Sequence, residues 1–76
     1  MHMADWEHKE RRWSAWSQDD YQGNRINVTE HRFKDAHLAF DDWLNMQCTN
    51  GWEVIKISRG FNTADFSTWC IFRKKN

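Results

Sequence analysis

The chain has 76 residues, enough for one domain, and its two cysteines are too few for the disulfide framework that stabilises many chains of this size. Eleven acidic and eleven basic residues balance, which argues against a protein held to nucleic acid mainly by net charge. The start of the chain is polar and no apolar run approaches the ~20 residues of a membrane span, so we predict a cytoplasmic protein with free thiols. A Cys48–Cys70 bridge is the alternative, if the end of the predicted helix lies over the last strand. Residues 1–3 resemble a tag remnant, and we treat residues 4–76 as a single domain.

Residues 6–16 form the first predicted element, and their pattern is ambiguous. Their residue types favour a helix, and Trp6, Trp13 and Trp16 also fit a helical stripe. We nevertheless predict a strand, because a sheet of two strands is barely stable alone and the C-terminal strands need a neighbour.

Residues 18–24 are predicted to form a turn or loop, in which Gly23 and Asn24 are the signal for chain reversal. In residues 25–28 the alternation of Ile26 and Val28 indicates a short extended segment. This segment either pairs with the first element as an additional strand or leads into the following helix.

An amphipathic helix is predicted over residues 33–47. Thr29 is its predicted N-cap, since a threonine hydroxyl can accept a hydrogen bond from a helix N–H that has no partner. Asn50 and Gly51 provide the left-handed conformation that ends many helices. The apolar face of this helix consists of Phe33, Ala36, His37, Phe40, Trp43, Leu44 and Gln47.

Two strands are predicted over residues 52–59 and 66–74, because both segments are rich in β-branched or aromatic residues. The connection over residues 60–65 is short, so the two strands should form an antiparallel hairpin. Both strands have apolar side chains on both faces. On the first, Ile55 and Ile57 are expected opposite Trp52 and Val54; on the second, Trp69 and Ile71 are expected opposite Cys70 and Phe72. One helix covers one face of such a sheet, so we predict that a second subunit covers the other.

The predicted fold is therefore α+β in β-α-β-β order, with one helix packed on a small sheet of three, or with the extra segment four, mostly antiparallel strands. Aromatic residues make up 16% of the chain and supply bulk for a small core. The predicted core consists of Phe33, Phe40, Trp43, Leu44, Val54, Ile55, Ile57, Ile71 and Phe72.

Three short runs of sequence resemble the DUF4177 family, a group of small bacterial and phage domains. They are Leu44-Asn45 at the end of the helix, residues 50–55 (Asn-Gly-Trp-Glu-Val-Ile), and the ending Ile-Phe-Arg-Lys of the last strand. The opening Trp-Glu-His-Lys at residues 6–9 looks like the first strand of that family. This resemblance implies a β-α-β-β fold and no activity, and it assigns no catalytic residue.

No pattern in the sequence predicts catalysis, a metal site or a cofactor. His31 and His37 are six residues apart, a spacing that does not place two ligands on one helix face. Asp41 and Asp42 are adjacent and point about 100° apart on a helix, so they cannot act as a pair. Glu53 is expected to pair with a neighbouring Lys or Arg. We therefore predict a protein that is not an enzyme.

Tryptophans and basic residues occur together in the first segment and in the last two predicted strands, which suggests two functions. These residues are Trp6, Lys9, Arg11, Trp13, Trp16, Lys56, Arg59, Trp69 and Arg73. The first is a non-enzymatic interaction domain that self-associates as a homodimer through its sheet. The alternative is a module that binds a nucleotide, another small anionic ligand or single-stranded nucleic acid, by stacking on Trp and by contacts of Arg and Lys with phosphate. The predicted interface residues are Trp6, Trp13, Trp16 and Trp69. The predicted ligand-binding residues are Arg11, Arg12, Trp13, Trp16, Arg59, Trp69 and Arg73.

Overall fold

The computed structural model describes residues 5–27, 37–60 and 66–76. In these ranges the chain forms five strands and one α-helix: β1 Trp6–Trp13, β2 Ser17–Asp19, β3 Arg25–Asn27, α1 Phe40–Gln47, β4 Glu53–Arg59 and β5 Thr68–Lys75. The strands form one antiparallel sheet in the order β3-β2-β1-β5-β4. The predicted α+β class is confirmed, with more strands than expected. No helix in the described ranges has the length and apolarity needed to cross a membrane.

The first predicted element is a strand, as expected, although its residue types favour a helix. All eight residues of β1 pair with β5, from Trp6 opposite Lys75 to Trp13 opposite Thr68. Each strand presents alternate residues to the two faces of the sheet. The pairing with β5 therefore overrides the helical preference of the β1 sequence, as tertiary context often does.

The prediction of a loop over residues 18–24 is wrong at its start, because Ser17–Asp19 forms β2. Residues 25–27 form the extra strand β3, which was one of the two alternatives, but β3 pairs with β2 and not with the first element. The turn between β2 and β3 is tied by the Asp20 carboxylate, which accepts hydrogen bonds from the backbone N–H groups of Gln22 and Asn24, both at 2.9 Å. Gly23 has φ +95°, so the predicted chain reversal at this glycine is confirmed.

Helix α1 is shorter than the sequence predicts. It begins at Phe40, and the preceding Ala39 has extended backbone angles, so the helical prediction for residues 37–39 is wrong. The predicted N-cap Thr29 and the predicted core residue Phe33 lie outside the described residues. The predicted stop is confirmed: after α1 a 3₁₀ turn at Thr49–Gly51 contains Asn50 at φ 62° and Gly51 at φ 90°.

The C-terminal hairpin of β4 and β5 is confirmed, but it contains a bulge that the sequence did not predict. Val54 lies opposite Phe72 and Lys56 opposite Ile71, so Ile55 is the extra residue. Beyond the bulge Ile57 pairs with Cys70. Ile57 therefore shares a face with Val54, and the prediction that these two residues point to opposite faces is wrong.

The hydrophobic core lies between α1 and the sheet. Among the described residues its fully buried hydrophobic side chains are Trp43, Cys70 and Phe72. The side chains packed around them are Trp13, Leu38, Phe40, Leu44, Met46, Cys48, Trp52 and Val54. Of the predicted core, Phe40, Trp43, Leu44, Val54 and Phe72 are confirmed. Ile55 and Ile57 are each 46% exposed and Ile71 lies on the other face, so these three predictions are wrong.

Candidate functional site

The side of the sheet that faces away from α1 is the candidate binding surface, and we call it the open face. Cys70 and Phe72 of β5 point toward α1, so Trp69 and Ile71 point away from it. The described residues place no helix on this side. Along β1, β5 and β4 the open face comprises Trp6, His8, Glu10, Arg12, Trp69, Ile71, Arg73, Lys75, Glu53, Lys56 and Ser58.

At one end of the open face Trp6 lies against two cations. The guanidinium carbon of Arg73 is 4.2 Å from the centre of the Trp6 ring, and the Lys75 ammonium is 5.8 Å away. Arg73 Nε also donates to Glu53 Oε1 at 2.5 Å, which confirms the predicted ion pair of Glu53. Trp6 remains 40% exposed, so its ring is available for contact with a partner.

At the other end of the open face Trp69 has a similar arrangement. The guanidinium carbon of Arg12 is 5.4 Å from the Trp69 ring, and Arg12 Nη2 donates to Ser67 Oγ at 2.7 Å. Trp69 is 37% exposed. The open face thus has an aromatic residue beside an arginine at each end, with the half-buried Ile71 between them.

The predicted ligand-binding residues do not form one cluster. Arg12, Trp69 and Arg73 lie on the open face. Trp16 lies in the turn between β1 and β2 and is 61% exposed. The remaining three, Arg11, Trp13 and Arg59, belong to the helix side of the sheet.

Trp13 was predicted at an interface, and its contacts instead place it beside the core. Its indole N–H donates to the carbonyl of Leu38 at 2.9 Å, and its ring meets Phe40 edge-on at 5.5 Å. His37 completes this group: its ring centre is 5.8 Å from that of Trp13, and Nε2 donates to the Ser14 carbonyl at 3.0 Å. His37 is therefore a histidine at the edge of the core, as predicted, although not on a helix.

Metal-ligating side chains do not converge in the part of the chain that the structure describes: no group of three His, Cys, Asp or Glu residues there could hold an ion. Cys48 and Cys70 are free thiols. Burial raises the pKa of Cys70 to about 11, so this thiol stays protonated near neutral pH and is a poor nucleophile.

A second cluster, which the sequence did not predict, surrounds Lys9 on the helix side. Lys9 Nζ donates to the carbonyl of Gln47, the last residue of α1, at 3.0 Å. It lies 4.1 Å from the ring centre of Tyr21, 4.6 Å from Trp52 and 5.2 Å from Phe72. We call this group the Lys9 cage. Tyr21 comes from the turn after β2 and Trp52 from the residue before β4, so only the folded chain brings them to β1 and no local pattern could have indicated the cage.

The ionisation of the Lys9 cage is shifted by its surroundings. Burial, followed by the positive charge of Arg11, lowers the pKa of Lys9 from 10.5 to about 8. A hydrogen bond from Asn50 Nδ2 to the Tyr21 hydroxyl, 3.2 Å long, lowers the pKa of the Tyr21 phenol. A substantial fraction of Lys9 is therefore an uncharged amine at mildly alkaline pH.

Raising the pH from 8 to 9 should increase the free energy of unfolding. Between about 8 and 10.5 the unfolded chain binds a proton at Lys9 that the folded chain has lost, so stability rises with pH. The lowered pKa of Tyr21 also makes the free energy of unfolding rise with pH, as the pH approaches 10. Cys70, whose pKa is raised from 9.0 to about 11, holds its proton longer in the folded chain, so it opposes the gain above pH 9.

Urea denaturation at each pH measures this effect. Lys9→Met should remove most of the rise between pH 8 and 9, while Cys70→Ala should leave that rise intact and lessen the opposing loss above pH 9. An unchanged slope in the Lys9→Met variant would show that Lys9 is not the group that titrates.

Comparison of this chain with protein-family models, with curated proteins and with solved structures finds no match.

Proposed function

We propose that this chain is a small non-enzymatic interaction domain that forms a homodimer through its open face. The observation that supports this is the size of the core, since only Trp43, Cys70 and Phe72 are fully buried hydrophobic side chains within the described ranges. A chain of this length buries a smaller share of its surface than a larger domain does, and a partner subunit is one of the usual ways to add burial. The half-exposed rings at both ends of the open face provide the additional apolar area.

The expected gain can be estimated from Trp6 and Trp69. Each has about 40% of its surface exposed. With a side chain of ~250 Å², burying that remainder removes roughly 100 Å² from water and contributes about 2–3 kcal/mol. In a two-fold dimer both residues contribute from each subunit, so four rings share the interface.

The open face is a better candidate for self-association than the free edge of β4. Ile55 and Ile57 are exposed along that edge strand. However, the bulge at Ile55 and the lysine that follows it at position 56 are features that hinder edge-to-edge strand pairing.

A second candidate, binding of single-stranded nucleic acid or a nucleotide, is favoured by the charge of the open face. Along the three long strands this face has four cations, Arg12, Lys56, Arg73 and Lys75, against two carboxylates, Glu10 and Glu53. Bases could stack on the exposed parts of the two tryptophan rings at about 1–3 kcal/mol per base, with phosphates against the cations.

The dependence of association on salt concentration distinguishes a homodimer from a nucleic-acid-binding module. The surplus positive charge of two copies repels at low salt, so the dimer should become tighter between 50 and 300 mM sodium chloride. Nucleic-acid binding should weaken strongly over the same range because it releases counterions. Sedimentation of the protein alone and fluorescence anisotropy with a labelled thymidine oligonucleotide measure both. A chain that stays monomeric in both salts but binds the oligonucleotide at 50 mM would overturn the homodimer proposal and favour the second candidate.

We also propose membership of the DUF4177 family and a cytoplasmic location in a bacterium or a phage-infected cell. The order of β1, α1, β4 and β5 agrees with the β-α-β-β fold that the resemblance implies. The family resemblance carries no activity, so it is compatible with an interaction domain.

A further inference from the structure

Lys9 and Arg11 are neighbouring, partly buried cations, and neither has a carboxylate partner within residues 5–27, 37–60 and 66–76. Lys9 donates to the Gln47 carbonyl, and Arg11 donates to the backbone carbonyls of Glu10 at 2.9 Å and Tyr21 at 3.1 Å. Neither residue takes part in the ion pairs of the described chain. The Nε of Arg11 is itself buried and has no hydrogen-bond partner among the described residues. Partly buried positive charge without a carboxylate partner is suited to receive an anion.

A third cation adjoins the same cage. Lys74 Nζ is 5.2 Å from the ring centre of Trp52, the ring that Lys9 also contacts. Its nearest carboxylate in the described chain, that of Glu7, is at the long distance of 3.9 Å. The Lys9 cage and the adjoining Arg11 and Lys74 therefore combine aromatic rings with three positively charged side chains.

Among the lysines that the structure describes, Lys9 has the amine most suited to nucleophilic attack. Its ammonium is partly desolvated against three rings, and burial is the first cause of its pKa of about 8. At pH 8 about half of such a group is unprotonated, against roughly 0.4% of a lysine with the ordinary pKa of 10.4. Desolvated lysines beside other cations are the ones that react with carbonyl groups.

We propose that Lys9 is a site of reversible covalent attachment for small aldehydes that carry an anionic group. The rings of Tyr21 and Trp52 contact the body of the aldehyde, and Arg11 and Lys74 bind its anion. This site lies on the helix side of the sheet and is independent of the homodimer proposed for the open face.

The attachment is a condensation that needs no oxidant or reductant. The lone pair of Nζ forms a bond to the carbonyl carbon, and the C=O π electrons move to the oxygen. One of the two Nζ protons then passes to this oxygen. The resulting carbinolamine loses its hydroxyl as water while the remaining N–H proton leaves and the C=N bond forms. Addition of water reverses the sequence and releases the aldehyde.

The test uses 4-carboxybenzaldehyde and its neutral analogue 4-formylbenzamide on the full chain at pH 8. Borohydride reduction fixes the adducts, and peptide mass spectrometry measures labelling at each lysine. Lys56 and Lys75 lie on exposed strand positions of the open face, so their labelling is compared with that of Lys9 in the Trp69→Glu variant, in which the proposed dimer cannot cover these two internal controls. We expect Lys9 to be labelled at least about tenfold more than either control. Equal or weaker labelling at Lys9 would overturn the proposal.

The anion preference is tested with two variants. In the wild type the carboxylate aldehyde should label Lys9 several-fold more than the amide, and Arg11→Gln should reduce that ratio toward one. Because Arg11 ties β1 to the Tyr21 turn, the more peripheral Lys74→Gln is the second variant. If both variants fold and keep the full ratio, the assigned anion site is wrong. Trp69→Glu should leave Lys9 labelling unchanged, since Trp69 is on the opposite face.

Discussion

Replacing Trp43 with alanine should lower the free energy of unfolding by about 3–5 kcal/mol, the largest stability effect we expect from one substitution in this chain. Trp43 is a residue of α1, and its side chain is fully buried against β5. Its ring centre is 5.8 Å from that of Phe40 and 6.4 Å from that of Phe72. Its indole N–H donates to the Asp19 carbonyl at 2.7 Å, so it also ties α1 to β2. A domain of this size has a total stability of only about 4–11 kcal/mol. Urea denaturation followed by circular dichroism measures the loss.

Two further variants make the Trp43 prediction specific. Trp16→Ala removes the same side chain from a position that is 61% exposed, and it should change the stability by about 0.5 kcal/mol or less. Trp43→Phe keeps a ring in the core but loses the indole donor, so its effect should lie between the two. The Asp19 carbonyl retains a hydrogen bond from Gln47 Nε2 at 3.0 Å in that variant. Equal losses for Trp43→Ala and Trp16→Ala would contradict the position of the core.

Trp69→Glu should abolish the proposed dimer while leaving the subunit folded. The substitution removes the burial of the Trp69 ring, which contributes about 2 kcal/mol to the free energy of association from each subunit, and it places a carboxylate in the interface. The dissociation constant of the dimer should therefore rise by about a thousandfold or more. The fold should survive because Trp69 is partly exposed, and a glutamate at this position would lie near the Arg12 guanidinium. Sedimentation equilibrium measures the mass, and circular dichroism checks the fold.

Ile57→Glu is the matched control for Trp69→Glu. Ile57 is 46% exposed, comparable to Trp69, but its pairing with Cys70 places it on the helix side of β4. This variant should keep the dimer mass. If Ile57→Glu dissociates the protein and Trp69→Glu does not, the association runs through the β4 edge and not through the open face.

The parts of the fold that the sequence predicted well depend on local signals. The left-handed residues Asn50 and Gly51 end the helical region because few other residues adopt that conformation easily. The alternation of Trp69 and Ile71 with Cys70 and Phe72 follows from the two-residue period of a strand. Both signals lie within a few residues, so a single sequence is enough to read them.

The parts that the sequence did not predict depend on contacts between distant residues. The bulge at Ile55 leaves no mark in a run of β-branched residues, yet it turns Ile57 to the other face. The charged strand β1 is paired along its whole length with β5, which lies more than fifty residues away in the sequence. The Lys9 cage forms only where the segments that contain Tyr21 and Trp52 converge on β1. Arg11 and Arg12 lie on opposite faces of the sheet, and predicting which face each one takes requires the register between β1 and β5.

Intermolecular NOE measurements test the open-face interface most directly. The sample mixes isotope-labelled and unlabelled copies of the wild-type chain, so that only contacts between subunits are detected. We expect intermolecular signals from the rings of Trp6 and Trp69 and from the methyl groups of Ile71, with none from Ile57. A spectrum without intermolecular signals at high protein concentration would contradict the open-face interface. So would a spectrum whose intermolecular signals come from Ile55 and Ile57 alone.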